Sequence, residues 1–245
     1  MYDHLAEDLK KVEYRKEYYL PKAIKEFRKA KVFPVWKWYE YKVPNTNNKY
    51  VIYYYSENAN SIEKPQVGFF VDVFWDKQRY LIRWGASPYR HTPRSSFILL
   101  RQLHVYTSHF LHRYNERFLK DESLSSNDIA CRYLSRNEIA TPIDINKEIN
   151  AHIDDYGENA KWGYHVHDGF CFTRTCLEGE FHEDNREKDR VDAMVIVYTT
   201  FITEAEMSDR QVLAIEKEHR INWTDSFIGL IKEAEDGVVT LTLEP

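Results

Sequence analysis

The stretch YTSHFLHRYNERFLK, Tyr106 to Lys120, brings together groups that can move protons and bind phosphate. A helix turning about 100° per residue would carry His109, Arg113, Glu116, Arg117 and Lys120 on one side, and Phe110, Leu111, Tyr114 and Phe118 on the other. The apolar side docks, and an imidazole and two guanidiniums then face outward together. An imidazole titrates near neutrality, and arginine forks match phosphate oxygens without losing their charge. The same pattern also describes the solvated polar face of an ordinary surface helix.

Metal-free phosphodiester cleavage needs a base for the attacking hydroxyl, cations for the phosphorane charge and an acid for the leaving oxygen. Beside His109, Arg113 and Arg117, a sheet could supply His167, Arg174, Thr199 or Thr200. Each has a plainer role as well, since His167 can serve a turn, Arg174 a cross-strand surface pair, and the threonines simply suit strands.

These groups need elements to hold them. Residues 3–30 read as helix, with Leu5, Leu9, Val12, Leu20, Ile24 and Phe27 forming its stripe, and Pro21 kinking it or starting a second helix. VFPVWKWYEYKV and KYVIYYYS read as strands around the turn PNTNN. VGFFVDVFW and RYLIRW form a hairpin across the turn DKQ. GASPYRHTPRSS reads as a loop, and SFILLRQLHVYT as a strand feeding a helix with Ser108 at its N-cap. Ser125 and Asp128 have capping-box spacing for a helix to about Arg136, and Asp144 would cap another that stops at Gly157.

WGYHVHDGFCFTRTCL reads as a hairpin with Asp168-Gly169 as its two-residue turn, pairing His167 with Phe170 and His165 with Phe172. LEGEFHEDNREKDR is too charged to bury. AMVIVYTTFIT is apolar enough for a central strand, Ser208 opens the helix DRQVLAIEKEHR, FIGLIKEAED makes another, and VVTLTL reads as a closing strand. The fold class is α+β, helices with mostly antiparallel sheets, in two sub-domains: 1–103, basic and aromatic-rich, and 104–245, acidic.

The chain of 245 residues, 43% hydrophobic, can bury a sizeable core. No run approaches a membrane helix and MYDHLAEDLKK lacks a secretory pattern, so a cytoplasmic location with no membrane partner is the expectation. Cys131, Cys171 and Cys176 form no even framework and no CxxC pair, so reduced thiols are expected. GxxxxGK[ST], GxGxxG and HExxH are absent, so no nucleotide cofactor is expected. His165, His167, Cys176 and His182, or His104, His109 and His112, are the groupings a metal would use. None has strong ligand spacing, and no bound metal is expected.

The net charge of −5 conceals an asymmetry: 22 Lys+Arg against 12 Asp+Glu over 1–120, and 12 against 27 over 121–245. A basic, aromatic half can engage RNA, or the halves can complement each other across an internal interface.

SHFLHRYNER, with its H-x-x-x-R-x-x-x-R spacing from His109 through Arg113 to Arg117, resembles the His/Arg helix of small bacterial ribonuclease toxins of the barnase/RelE-like superfold. The order of elements over 104–204 is also similar: that helix, a helical insertion, the hairpin at 162–177, and a late strand ending in a hydroxyl residue. Residues 1–103 have no counterpart there, the insertion at 121–160 is long, and the second half is acidic. The resemblance implies a metal-independent endoribonuclease or RNA-binding protein using His109, Arg113, Arg117, His167 and Thr200. The alternative is a non-catalytic module binding a protein partner, in which the His109 face lines no concave site.

Overall fold

The computed structural model describes residues 1–46, 48–89, 98–146, 149, 162–180 and 190–218. Twelve elements organise them: α1 (Tyr2–Phe27), β1 (Val35–Lys42), β2 (Lys49–Ser56), β3 (Gln66–Trp75), β4 (Gln78–Tyr89), β5 (Ile98–Thr107), α2 (Ser108–Tyr114), α3 (Ser126–Arg136), β6 (Ala140–Asp144), β7 (Trp162–Val166), β8 (Gly169–Glu180) and β9 (Arg190–Ile202). The strands make one nine-stranded sheet in the order β1-β2-β3-β4-β5-β9-β8-β7-β6. All pairs are antiparallel except β5 with β9, and that parallel pair follows from the long crossover through α2, α3 and β6–β8 that returns the chain in its original direction. The class is α+β. The sheet runs unbroken through β5, so position 103/104 falls inside a strand and two sub-domains do not separate there.

Period-2 patterning sorts the side chains onto two faces. On one, α1 lays Leu5, Val12, Ala23 and Phe27 over Tyr50, Ile52, Tyr54, Val71 and Ile82. Its stripe includes Asp8, which is buried and accepts bonds from Asn48 Nδ2 (2.8 Å) and the Tyr50 hydroxyl (3.1 Å). Pro21 is exposed and the helix runs through it. On the other face, α2 and α3 bury Phe110, Leu111, Tyr114, Ile129, Tyr133 and Leu134 against Val51, Tyr53, Phe70, Tyr106, Tyr198 and Phe201. A third cluster, Ile143, Ile149, Phe170, Phe172, Ile202 and Ile215, closes the β6–β8 end.

Several local expectations shift. The β3–β4 turn is the two residues Asp76 and Lys77, both at positive φ. β4 extends to Tyr89, so GASPY is strand rather than loop, because it pairs with Ile98–Gln102 of β5. Asp144 ends β6 opposite Trp162; the helix it was expected to cap and its stop at Gly157 lie outside the described residues. So do most of the loop after β8, FIGLIKEAED and VVTLTL. Ser208 bonds reciprocally with Gln211 where residues 209–218 are helical.

The β7–β8 turn is His167–Asp168, one residue earlier than expected, so His165 pairs with Phe170 and Val166 with Gly169. Asp168 sets this register. Its carboxylate, 1% exposed, takes a bidentate bond from Arg136 (2.7 and 2.9 Å), one from the Tyr114 hydroxyl (2.6 Å) and one from Asn137 (3.0 Å). Its own N–H donates to Asn137 Oδ1 at 3.0 Å. Gly169 follows at φ +150°, where a Cβ would stand 2.2 Å from the Ile202 carbonyl oxygen. Only glycine lets β8 begin that close to β9.

α2 is capped one residue before the expected position. Thr107, not Ser108, is its N-cap: the hydroxyl accepts from Phe110 N–H (3.0 Å) and donates to the Tyr198 carbonyl (3.0 Å), tying the helix start to β9. Thr107→Ala is expected to lower stability by about 1–2 kcal/mol in urea unfolding, since it removes a cap and a bond to the sheet together.

Candidate functional site

Helical spacing places Phe110, Leu111 and Tyr114 in the core and His109 and His112 outside, with Arg113 and Arg117 half-buried. Beyond Tyr114 the helix widens into a π turn, Asn115–Leu119, and stops at Lys120 in the left-handed region, φ 54°. The widened turn carries Arg117 toward β9. There its guanidinium donates to the Phe201 carbonyl (2.5 Å) and approaches Glu206 (3.3 Å). Arg113 meets Glu116 at 2.6 Å. Partial desolvation, reinforced by Arg113, His112 and Arg117, holds the His109 imidazole below its usual pKa.

The other candidates do not join His109. His167 is exposed in its turn, Arg174 is exposed on β8, and Thr199 donates to the Phe172 carbonyl at 3.0 Å. Thr200 is buried and pairs with Phe172, whose ring belongs to the β6–β8 cluster, while neighbouring Phe201 packs under α2. Alternation along β9 therefore puts Thr200 across the sheet from the helix. His165, half-buried, lies 3.9 Å from Glu204. Cys131 and Cys171 are buried, and burial pushes the Cys171 thiol up to about 12. Among the described residues no three His, Cys, Asp or Glu side chains converge on a point a metal could occupy.

Two neighbouring hollows open on the α2–α3 face of the sheet. The larger, about 870 Å³, lies between β1–β4 and the start of α3, lined by Trp38, Glu40, Lys49, Asp72, Phe74, Arg79 and Asn127 among others. At its base Asp72, 9% exposed, takes Lys49 (2.7 Å) and the forked Arg79 (2.6 and 3.1 Å). Burial alone would raise the Asp72 pKa, but those bonds hold it below its ordinary value, and the bond to Asp72 in turn raises Lys49. Arg79 also donates to Asn127 Oδ1, and Lys49 reaches Glu40 at 3.3 Å. Trp38 is oriented by its indole N–H donating to Asp128 (2.9 Å) at the start of α3. The smaller hollow, about 390 Å³, shares Arg79 and Ser126 and is lined by Ser108, His112, Asn115 and Glu122. Of the two histidines of α2, His112 and not His109 lines one of these hollows.

Two cations and two carboxylates line the larger cleft, so its charges balance and it offers hydrogen bonds rather than a net field. Phe74, 74% exposed, forms an apolar wall, and Trp75, 69% exposed, stands beside it at the β3–β4 tip. Sequence reasoning passed over this site. Its one signal was Asp72 inside the run VGFFVDVFW, a charge sharing the face of Phe70 and Phe74 where an apolar residue would ordinarily sit. No family model, curated protein or solved structure matches this chain.

Proposed function

We propose that the protein is a non-catalytic binding module whose recognition surface is the cleft between β1–β4 and α3. The observation that carries this reading is the Lys49–Asp72–Arg79 base with its Asn127 and Glu40 neighbours. It is an interlinked array of donors and acceptors of balanced charge beside the exposed Phe74 ring and the half-buried Trp38. Such a surface favours a partner that is polar, neutral overall and able to pack a ring or aliphatic group against Phe74. Exposed aromatics at a hairpin tip are costly in water and suit contact with another molecule.

The ribonuclease alternative asks Arg113 and Arg117 to meet a phosphate. Both already bond within the chain, to Glu116, and to the Phe201 carbonyl and Glu206, and His109 lines neither hollow. Wild type and His109→Ala are expected to show the same background-level cleavage of mixed cellular RNA without divalent metal. Cleavage by wild type that disappears in His109→Ala would overturn the binding-module reading. Peptides selected on wild type from a random library are expected to bind Phe74→Ala about tenfold more weakly and His109→Ala equally well. Equal binding to Phe74→Ala would remove the cleft from the proposal.

A further inference from the structure

β3 and β4 form a fork. Their ladder runs from Trp75↔Gln78 to Val71↔Ile82 and ends there. Beyond it β3 continues paired to β2 as far as Tyr55↔Gln66, whereas β4 continues paired to β5 as far as Tyr89↔Ile98. Arg83 is the first β4 residue past the split, on the α2–α3 face of the sheet, and stands directly opposite His104 of β5. It lies four residues from Arg79 on the same strand face, about 13 Å along the strand, and outside the cleft described above.

Arg83 is half-buried, and among the described residues its guanidinium makes no hydrogen bond and no ion pair. Its surroundings are neutral. His104 donates or accepts one bond with the Tyr198 hydroxyl (3.0 Å), and burial together with the Arg83 charge pushes its pKa down to about 4. Tyr198 stacks on Tyr106 (centroids 4.4 Å apart) and on Tyr164 (5.7 Å). On the β3 side the Tyr53 ring crosses over Gly68, where a Cβ would lie 2.3 Å from its hydroxyl oxygen. The Tyr53 and Tyr164 hydroxyls, 2% and 8% exposed as residues, have no hydrogen-bond partner among the described residues. Among the described residues the acid whose field acts on Arg83 is Glu138, an exposed residue that forms no ion pair with it.

A cation partly withdrawn from water with no counter-charge beside it favours a ligand that supplies the missing acceptor. Here the shortage is specific: one guanidinium fork without an acceptor, with the buried Tyr53 hydroxyl, a donor, in its neighbourhood. We propose that the β3–β4 fork is an oxyanion-binding site, in which Arg83 takes a carboxylate or phosphoryl group bidentately and the Tyr53 hydroxyl donates to it. The site is independent of the cleft and does not rest on the binding-module reading.

The test titrates wild-type protein with sodium benzoate and with sodium phosphate at constant ionic strength, using sodium chloride as control. One oxyanion is expected to bind at a single site, shifting the Arg83 Nε resonance and raising Tm, since a ligand that binds only the folded state stabilises it. Benzoate alone would assign a carboxylate ligand, and phosphate alone a phosphoryl one. Arg83→Gln is expected to bind about tenfold more weakly or worse, because a charge-assisted fork is lost. Arg83→Lys keeps the charge but not the fork and should fall between. Arg83→Met is expected to melt no lower than wild type without ligand, and to lose the Tm rise with it. No response of the Arg83 resonance to either anion beyond that to chloride would overturn the proposal. So would undiminished binding by Arg83→Gln, or an Arg83→Met that is strongly destabilised, which would mean that the guanidinium has a structural partner in the protein itself.

Discussion

Asp168→Ala is expected to lower stability by about 3–5 kcal/mol in urea unfolding, the cost of leaving one half of a buried ion pair without its partner. The carboxylate is 1% exposed and the Arg136 side chain 28%, so solvent does little to replace the lost acceptor. Three groups lose a bond at once: Arg136, the Tyr114 hydroxyl and Asn137. These come from α2, α3 and the residue after α3, which makes the turn of β7–β8 the point where both helices are locked to the sheet. The same network gives a pH dependence. Burial alone would raise the Asp168 pKa, but the bonds from Arg136, Tyr114 and Asn137 hold it below its ordinary value. Its contribution is therefore complete above the unfolded-state value near 3.9 and is lost as pH falls through the depressed folded-state value. Stability measured from pH 7 downward should fall in acid for wild type, and Asp168→Asn should remove part of that slope. A variant as stable as wild type would mean that the turn register is set elsewhere.

The elements that announced themselves did so through local periodicity. α1, the strands from Val35 to Trp84, β9 and the Ser125–Asp128 capping box of α3 are each written in spacing that a single segment contains. The misreadings arose where a distant group decided. Asp168-Gly169 is a strong turn signal, but Asp168 is drawn inward by Arg136 and Asn137, and the two-residue turn moves to His167–Asp168. The register slips by two residues, an even number, so His165, Phe170 and Phe172 still share a face as alternation predicted. Likewise Thr107 takes the cap from Ser108 because its hydroxyl can also reach the Tyr198 carbonyl. A parallel β5–β9 pair joins the basic and acidic halves into one sheet, and no local pattern specifies such a crossover.

The candidate site was less legible for a related reason. Helical spacing correctly separates His109 from Phe110, but says nothing of what approaches the outer face. Glu116 and the Phe201 carbonyl engage the two arginines there. The cleft depends on Glu40, Lys49, Asp72, Arg79 and Asn127, which come from five elements or their edges, and on a strand order that brings α3 over β1–β3. Charge asymmetry was equally silent about contacts. Among the described residues Met1 with Glu178 and Arg117 with Glu206 link the halves on either side of residue 120, while most ion pairs lie within one half, so the opposite charges are not chiefly matched across an internal seam.

Phe110→Ala is expected to cost about 3–5 kcal/mol, while His109→Ala, one residue away, should stay within about 0.5 kcal/mol. Phe110 is fully buried, its ring edge-on to Tyr133 at 5.0 Å, Tyr198 at 5.4 Å and Phe201 at 6.3 Å, and tilted against Tyr106 at 5.8 Å. Removing it empties the space between α2, α3 and β9. Four rings that have packed against it cannot collapse inward together, so the cavity term adds to the lost burial. His109 is exposed, so truncating it removes little buried area. Urea unfolding of the two variants side by side checks this. A loss in His109→Ala approaching that in Phe110→Ala would show that the outer face of α2 is structural, and would deprive the RNA-cleavage comparison of an intact fold on which to be read.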